Sequence, residues 1–350
     1  MLPKLHINLT KYKANIDYLT KITKACGLST MLVSKVYCGD QRIIDIVNMS
    51  DVEMIADSKI SNLEKISTSK TKVLLRIPQK SEALDVVKYA QISLNSEIDV
   101  IKELDEKARC LFTKHKIILM FDLGDLREGI YYTSFYHEIV KEILELENIE
   151  LVGIGTNLTC YGGVIPSEKT LHKLKRIKDD IESTFHITLE IISGGNSSAL
   201  PMVFNHELPS FINNLRIGEA FVLGRETAYG TLIPKMYDDV FTLEAEIIEL
   251  KEKPSLPEGE LGMDAFGQKV SFVDQGLMIR AILGVGRQEV DCKHLIPPHD
   301  VSVVGCSSDH LIVSVPKDMY HIGDSITFKL TYGGLLSLMT SPYMKREYHE

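Results

Sequence analysis

Between Thr30 and about Glu219, short apolar runs alternate with charged, amphipathic stretches, and no other feature restricts the chain as strongly. There are eight such runs, near residues 31–36, 53–56, 72–77, 91–94, 116–123, 150–155, 189–193 and 214–218. Continuous apolar runs of this length suit strands buried on both faces, and the segments between them carry apolar residues at helical spacing. In residues 138–147, for example, Ile139, Val140, Ile143 and Leu144 share one face. Eight parallel strands with intervening helices fit a closed (β/α)8 TIM barrel, which takes about 250 residues with its loops. A doubly wound open sheet is the alternative. It lacks the Gly-x-Gly-x-x-Gly turn after the first run, where a dinucleotide site would begin.

After Gly224 the texture changes. Residues 240–250, 277–285, 301–304, 311–315 and 325–330 are β-type runs bounded by Gly, Pro and Asp, with no strong helix between them. The chain is therefore expected to divide near residue 235, into a barrel over 10–235 and an all-β domain over 236–350. The alternating opening run, residues 5–9, suits a half-buried strand that joins the C-terminal sheet. Residues 251–262, rich in Pro, Gly and Glu, read as a mobile loop, and 264–267 as a turn. At 350 residues and 44% hydrophobic the chain can fill two cores, since one core stops growing at roughly 250–300 residues.

The formal charge of −9 argues against nucleic acid, whose phosphates call for a basic face. No apolar run reaches the roughly 18 residues that span a bilayer, and the first residues include Lys4 and His6, so a cytoplasmic protein is expected. The six cysteines are scattered without a Cys-x-x-Cys, so reduced thiols are expected and no zinc site is signalled. The eleven histidines form no His-x-x-x-His pair on a helix, so no catalytic metal is implied.

In such a barrel the chemistry lies at the C-terminal ends of the strands. Lys35 ends the first run. A lysine there either snorkels to solvent or, if desolvated, becomes a nucleophilic amine able to form a Schiff base. Other polar strand ends are the segment from Asp122 to Gly129, with Asp125, Arg127 and Glu128; Thr156-Asn157-Leu158; Ser193-Gly194-Gly195-Asn196-Ser197-Ser198; and Arg216-Ile217-Gly218-Glu219. The Gly-Gly-Asn-Ser-Ser stretch opens a helix-like segment whose N–H groups and hydroxyl suit a phosphate, though taken alone it is equally an ordinary Gly/Ser loop.

In order and rough spacing, these segments resemble alanine racemase and its fold-type III relatives. Val33-Ser34-Lys35-Val36-Tyr37-Cys38-Gly39-Asp40, Arg216-Ile217-Gly218-Glu219-Ala220 and Ser307-Ser308-Asp309-His310 resemble the ornithine-racemase-like branch more than alanine racemase itself. The resemblance covers nearly the whole chain. It implies a pyridoxal 5'-phosphate enzyme that interconverts the enantiomers of a free amino acid, either a basic one such as ornithine or lysine, or alanine. It implies Lys35 as the cofactor lysine and Ser197, the backbone of Gly218 and Glu219, and Tyr332 at the phosphate. Asn157 and Asn196 would flank the cofactor, and Arg216 would face the pyridine nitrogen. Arg127 and Asp309 are expected at the substrate. A homodimer, in which each β domain caps the partner's barrel, is implied by the resemblance alone.

Arg216 favours racemase over the similar decarboxylases, which carry Glu at that position. A guanidinium cannot accept the ring proton and leaves the ring a weaker electron sink. A decarboxylase or other lyase, a non-catalytic pyridoxal-phosphate carrier and an unrelated barrel enzyme remain the competing classes. The match has gaps: Asn157 stands where a ring-stacking His is expected, Gly39 where a phosphate-binding Tyr would be, and Met120 where a modified Lys often lies. The Gly-Tyr-Ala-Asp segment bearing the opposing Tyr has only Gly286-Arg287-Gln288-Glu289 as a counterpart. His310 is taken as the second base, with Tyr161 and Cys160 as rivals, while Asp309 and His310 also suit a plain turn.

Overall fold

The computed structural model describes residues 2–264, 266–267, 269 and 271–350. It divides into two units, one of Met1–Lys11 with Asp238–Glu350 and the other of Tyr12–Tyr237.

Strand β1 (Lys4–Asn8) belongs to the first unit. Nine strands follow in the second: β2 (Ser29–Val33), β3 (Met54–Asp57), β4 (Thr71–Leu74), β5 (Ile92–Asn95), β6 (His115–Asp122), the two-residue β7 (Ile130–Tyr131), β8 (Ile149–Gly155), β9 (Ile191–Ser193) and β10 (Asn214–Ile217). All but β7 lie in one parallel ring. β5 pairs with β6, and β10 pairs back onto β2 through Arg216 opposite Met31, so the sheet is a closed (β/α)8 barrel and not an open one. Period-2 residues fill its axis, among them Met31 and Val33 of β2, Met54 and Ala56 of β3, and Ile118 and Met120 of β6. Met120 is fully buried in that layer.

The helices cover the outside because their apolar residues form stripes. In the helix Glu168–Phe185, Leu171, Leu174, Ile177 and Ile181 are buried, and Ser167 caps the start by accepting the Thr170 N–H at 3.2 Å. In the helix His137–Glu145 only Val140 and Ile143 are buried. Leu144, expected on the same face, is 39% exposed, because the contact stripe is narrower than the apolar one.

The first unit is built around the long strand β11 (Phe241–Pro254). With it lie β12 (Leu277–Leu283), β13 (Leu295–Ile296), β14 (Ser302–Cys306), β15 (Leu311–Val315), β16 (Ser325–Leu330) and β17 (Lys345–His349). The order is β13-β16-β11-β12-β15-β14, and β1 adds antiparallel to β11 and parallel to β17. One expectation needs correction, and two elements went unread. Lys251 to Pro254 are not loop but strand, paired with Arg280 to Leu277, because cross-strand pairing outweighs the local Pro and Glu content. A helix, Tyr332–Thr340, lies between β16 and β17 although none was read there. The charged strand β17 carried no apolar alternation to reveal it. At 264–267, Gly267 N–H donates to Asp264 C=O at 3.1 Å and closes a turn; Ala265 lies outside the described residues.

Candidate active site

Lys35 follows β2 after Ser34, opens the short turn Lys35–Tyr37 and is half-buried. The chain leaves the strand there because Ser34 is held twice by β3. Its N–H donates to Ala56 C=O at 2.8 Å, and its hydroxyl donates to the buried Asp57 carboxylate at 2.6 Å. Burial lifts the Asp57 carboxyl above its ordinary value even though Ser34, Lys59 and Asn62 all donate to it. Cys38 and Gly39 then take left-handed conformations, φ 55° and 64°, and end the turn. A side chain at 39 would be strained and would lie 3.1 Å from Ile66, which explains why no tyrosine stands there.

Arg216 is 5% exposed near the end of β10 and is fixed by groups at the ends of β9 and β8. Its Nη1 donates to Ser193 Oγ and its Nη2 to Thr156 C=O, each at 2.5 Å. Ser193 passes the chain on, donating to Asn214 Oδ1 at 2.6 Å. Burial lowers the guanidinium pKa to about 10, with the Glu128 carboxylate pulling the other way, so Arg216 is a cation and a pure donor at neutral pH.

Beside it, Asn196 caps the segment Ser197–Ala199, its Oδ1 accepting the Ser198 N–H at 2.8 Å and its Nδ2 donating to Leu158 C=O at 2.8 Å. Ser197 Oγ accepts the Ala220 N–H at 3.4 Å, so the hydroxyl and the Gly218–Ala220 backbone face one spot. Two hydroxyls here, Thr156 Oγ1 and Ser198 Oγ, are buried without a hydrogen-bond partner. Convergent hydroxyls and main-chain donors beside a cation suit an anionic group such as a phosphate. Gly218 lets the strand turn close to β2, since a Cβ there would lie 3.1 Å from Val33 Cβ. The Glu219 carboxyl is pushed up to about 7 by burial, against the opposite pull of Lys35 and Arg225.

The loops after β6 and β8 are joined by a residue that sequence reading grouped with the mouth but gave no role. Asp125, buried, accepts the N–H groups of Thr159, Cys160, Tyr161 and Val164 at 3.0–3.1 Å. Burial alone would raise its pKa, but these donors, with Gly162, hold it below the usual carboxylate range. Gly162 is needed because a Cβ would meet Asp125 O at 2.6 Å. No local pattern announces this clamp. Arg127 lies in the same loop, exposed, paired with Glu128 and in contact with the Asn157 amide oxygen once that amide is turned to satisfy both its ends. Burial lowers the Arg127 pKa, but Glu128, Cys160 and Asp125 together outweigh this and raise it. Tyr161 is 76% exposed.

Lys35, Asn157, Asn196, Ser197, Arg216, Gly218, Glu219 and Arg127 thus belong to the barrel unit, whereas Tyr332, Asp309 and His310 belong to the other. Tyr332 opens the helix Tyr332–Thr340, capped by Thr331. Asp309 and His310 lie in the turn between β14 and β15, with His310 Nδ1 2.8 Å from Asp309 Oδ1. That turn rests on residues 286–288: Arg287 and Gln288 N–H donate to Ser307 and Ser308 C=O at 3.0 and 2.9 Å. A Cβ on Gly286 would lie 2.4 Å from Asp309 N, so only glycine fits.

Comparison with known proteins adds the following. The alanine racemase N-terminal domain matches residues 7–226. An ornithine racemase of Acetoanaerobium sticklandii is 48% identical over 99% of both chains. A lysine racemase of Thermotoga maritima is 39% identical over 99% of this chain and 98% of its own. An alanine racemase structure from Bartonella henselae, with covalently bound pyridoxal phosphate, superposes with a TM-score of 0.75 at 15% identity, covering 100% of both chains.

Proposed function

The chain belongs to the alanine racemase family and is an amino-acid racemase, and we propose that its substrate is a basic amino acid, ornithine ahead of lysine. The observation that carries this reading is the full-length identity to an ornithine racemase, 48%, against 39% to a lysine racemase. We place pyridoxal phosphate at the barrel mouth, and the residues there fit it. Lys35 would hold its aldehyde end, Ser197 with the Gly218 and Glu219 backbone its phosphate, and Asn157 and Asn196 its flank. When bound, the cofactor supplies the electron sink that lets the substrate's α-proton leave.

Arg216 cannot take a proton, and with two of its donors committed to Ser193 and Thr156 it presents a fixed positive charge to whatever lies above it. That arrangement suits an enzyme that only removes and returns a proton, and it disfavours the decarboxylase reading. Racemisation needs a proton-transfer group on each face of the α-carbon. Lys35 Nζ serves one face. We assign the other to His310, brought by a second copy of the chain in a homodimer, with Asp309 orienting its imidazole and attracting the distal ammonium of a basic substrate. Arg127 is assigned to the substrate carboxylate, a bidentate match for its planar fork. We place the enzyme in the cytoplasm; among the described residues no helix is long and apolar enough to cross a membrane.

The test is incubation with L- and D-ornithine, lysine and alanine, followed by chiral separation. Ornithine should be racemised fastest in both directions. Faster turnover of alanine than of either basic amino acid would overturn the substrate assignment.

A further inference from the structure

Directly before the Ser307–His310 turn stands a side-chain cluster that racemisation does not use. Cys306 ends β14, and Cys292 opens the short helical turn Cys292–His294. The two sulfurs and an Asp291 carboxylate oxygen lie within 4.8 Å of one another. Cys292 N–H donates to Cys306 Sγ at 3.4 Å. The Arg287 guanidinium lies near enough to the Cys306 sulfur for that sulfur to raise its pKa, and its carbon is 3.9 Å from the centroid of the Phe266 ring.

Both thiols are half-buried, as is Cys38, whereas Cys26, Cys110 and Cys160 are exposed. Sulfur oxidation by peroxide starts from a thiolate, and a second thiol within reach then closes the disulfide. The Arg287 guanidinium disfavours a metal ion in that position, since it would put two cations on one sulfur. Burial and the neighbouring Cys306 sulfur push the Cys292 thiol up to about 12. The Cys292 main-chain N–H donates to the Cys306 sulfur and not the reverse, so we take Cys306 as the thiol that attacks and Cys292 as the one that resolves.

We propose that Cys292 and Cys306 form a reversible redox site that closes to an intrachain disulfide in peroxide. The Cys306 thiolate attacks one oxygen of hydrogen peroxide; the O–O bond breaks, hydroxide leaves and Cys306 becomes a sulfenic acid. Cys292 sulfur then attacks Cys306 sulfur, the S–S bond forms, the S–O bond breaks, and the proton of Cys292 leaves with the departing hydroxide as water. In total, two thiols lose two electrons and two hydrogens, and one peroxide becomes two waters. An external dithiol reverses the step by exchange. The bond ties the 286–294 segment covalently to the strand end that carries the Ser307–His310 turn, two pieces already joined through Arg287, Gln288 and Gly286.

The experiment treats the full chain with hydrogen peroxide, alkylates the remaining thiols, and reads intact mass and a peptide map. The result expected is loss of two hydrogens, four alkylated cysteines out of six, and a single link joining the peptides that contain Cys292 and Cys306, all reversed by dithiothreitol. Cys292→Ser should leave a Cys306 sulfenic acid that a 1,3-dione probe captures; Cys306→Ser should leave Cys292 unoxidised at the same dose. Circular dichroism of both variants before treatment separates misfolding from lost reactivity. A link between any other cysteines, or sulfinic acid on Cys306 with Cys292 still fully alkylated, would overturn the proposal.

Discussion

Arg216 and Arg127 both belong to the barrel unit's candidate site and are held in opposite ways. Arg216 is a strand residue, buried, and its guanidinium is held by the ends of β8 and β9 through Thr156 and Ser193. Arg127 is a loop residue, exposed, and its partner is the adjacent Glu128. Strand register fixes the first without any added device. The loop needs one, and Asp125 supplies it by gathering the N–H groups of a segment more than thirty residues away. Arg216 is therefore held by strand-end groups, while the loops after β6 and β8 are held together only as long as one carboxylate stays ionised.

The largest expected effect comes from the strand side. Lys35→Ala should lower racemisation by about 10²–10⁴-fold or more, the range for loss of a positioned proton-transfer group. Borohydride reduction of the wild type should put the pyridoxyl label on Lys35, and a label on another lysine would end the assignment. Next is Arg216→Glu. It leaves Ser193 and Thr156 without their donor and buries a carboxylate beside a carbonyl, so about 3–5 kcal/mol of stability should be lost in urea unfolding. Product analysis should show racemisation falling and 2-oxo acid appearing; unchanged products would refute the electronic argument.

On the loop side, Asp125→Asn should cost about 1–3 kcal/mol, because an amide has only one acceptor oxygen for the N–H groups that the carboxylate's two oxygens share. Proteolysis within 159–164 should quicken while borohydride labelling of Lys35 is retained. The pH dependence has a definite sign. The folded Asp125 pKa is depressed, so its stabilisation is present above the unfolded value near 4 and is lost as pH falls through the lower folded value. A wild-type acid-unfolding limb steeper than that of Asp125→Asn is the expected result.

Glu219, on the strand side, should behave in the reverse sense and more weakly. Its folded pKa is raised to about 7, so its contribution is fully present below the unfolded value of about 4.5 and is lost as pH rises to 7. Glu219→Gln should flatten the stability slope across that window in thermal melts at stepped pH. An unchanged slope would mean that Glu219 is solvated and not desolvated.

Local pattern alone determined a good deal. The eight apolar runs correspond to the eight barrel strands, because residues buried on both faces of a parallel strand leave a mark within four to eight positions. Lys35, Arg216 and the Asn196-Ser197 segment could be placed at strand ends for the same reason. The helix Tyr332–Thr340 could not: Gly333 and Gly334 weaken its first turn, and it forms where His294 packs so closely that a Cβ on Gly333 would lie 2.6 Å from its ring. Strand β17 gains its order from β1, more than three hundred residues earlier. The Asp125 clamp and the meeting of Cys292 with Cys306 belong with these. Each depends on groups far apart in the chain, and hydrogen bonds across such distances leave no periodicity to read; only the closed fold brings the partners within reach.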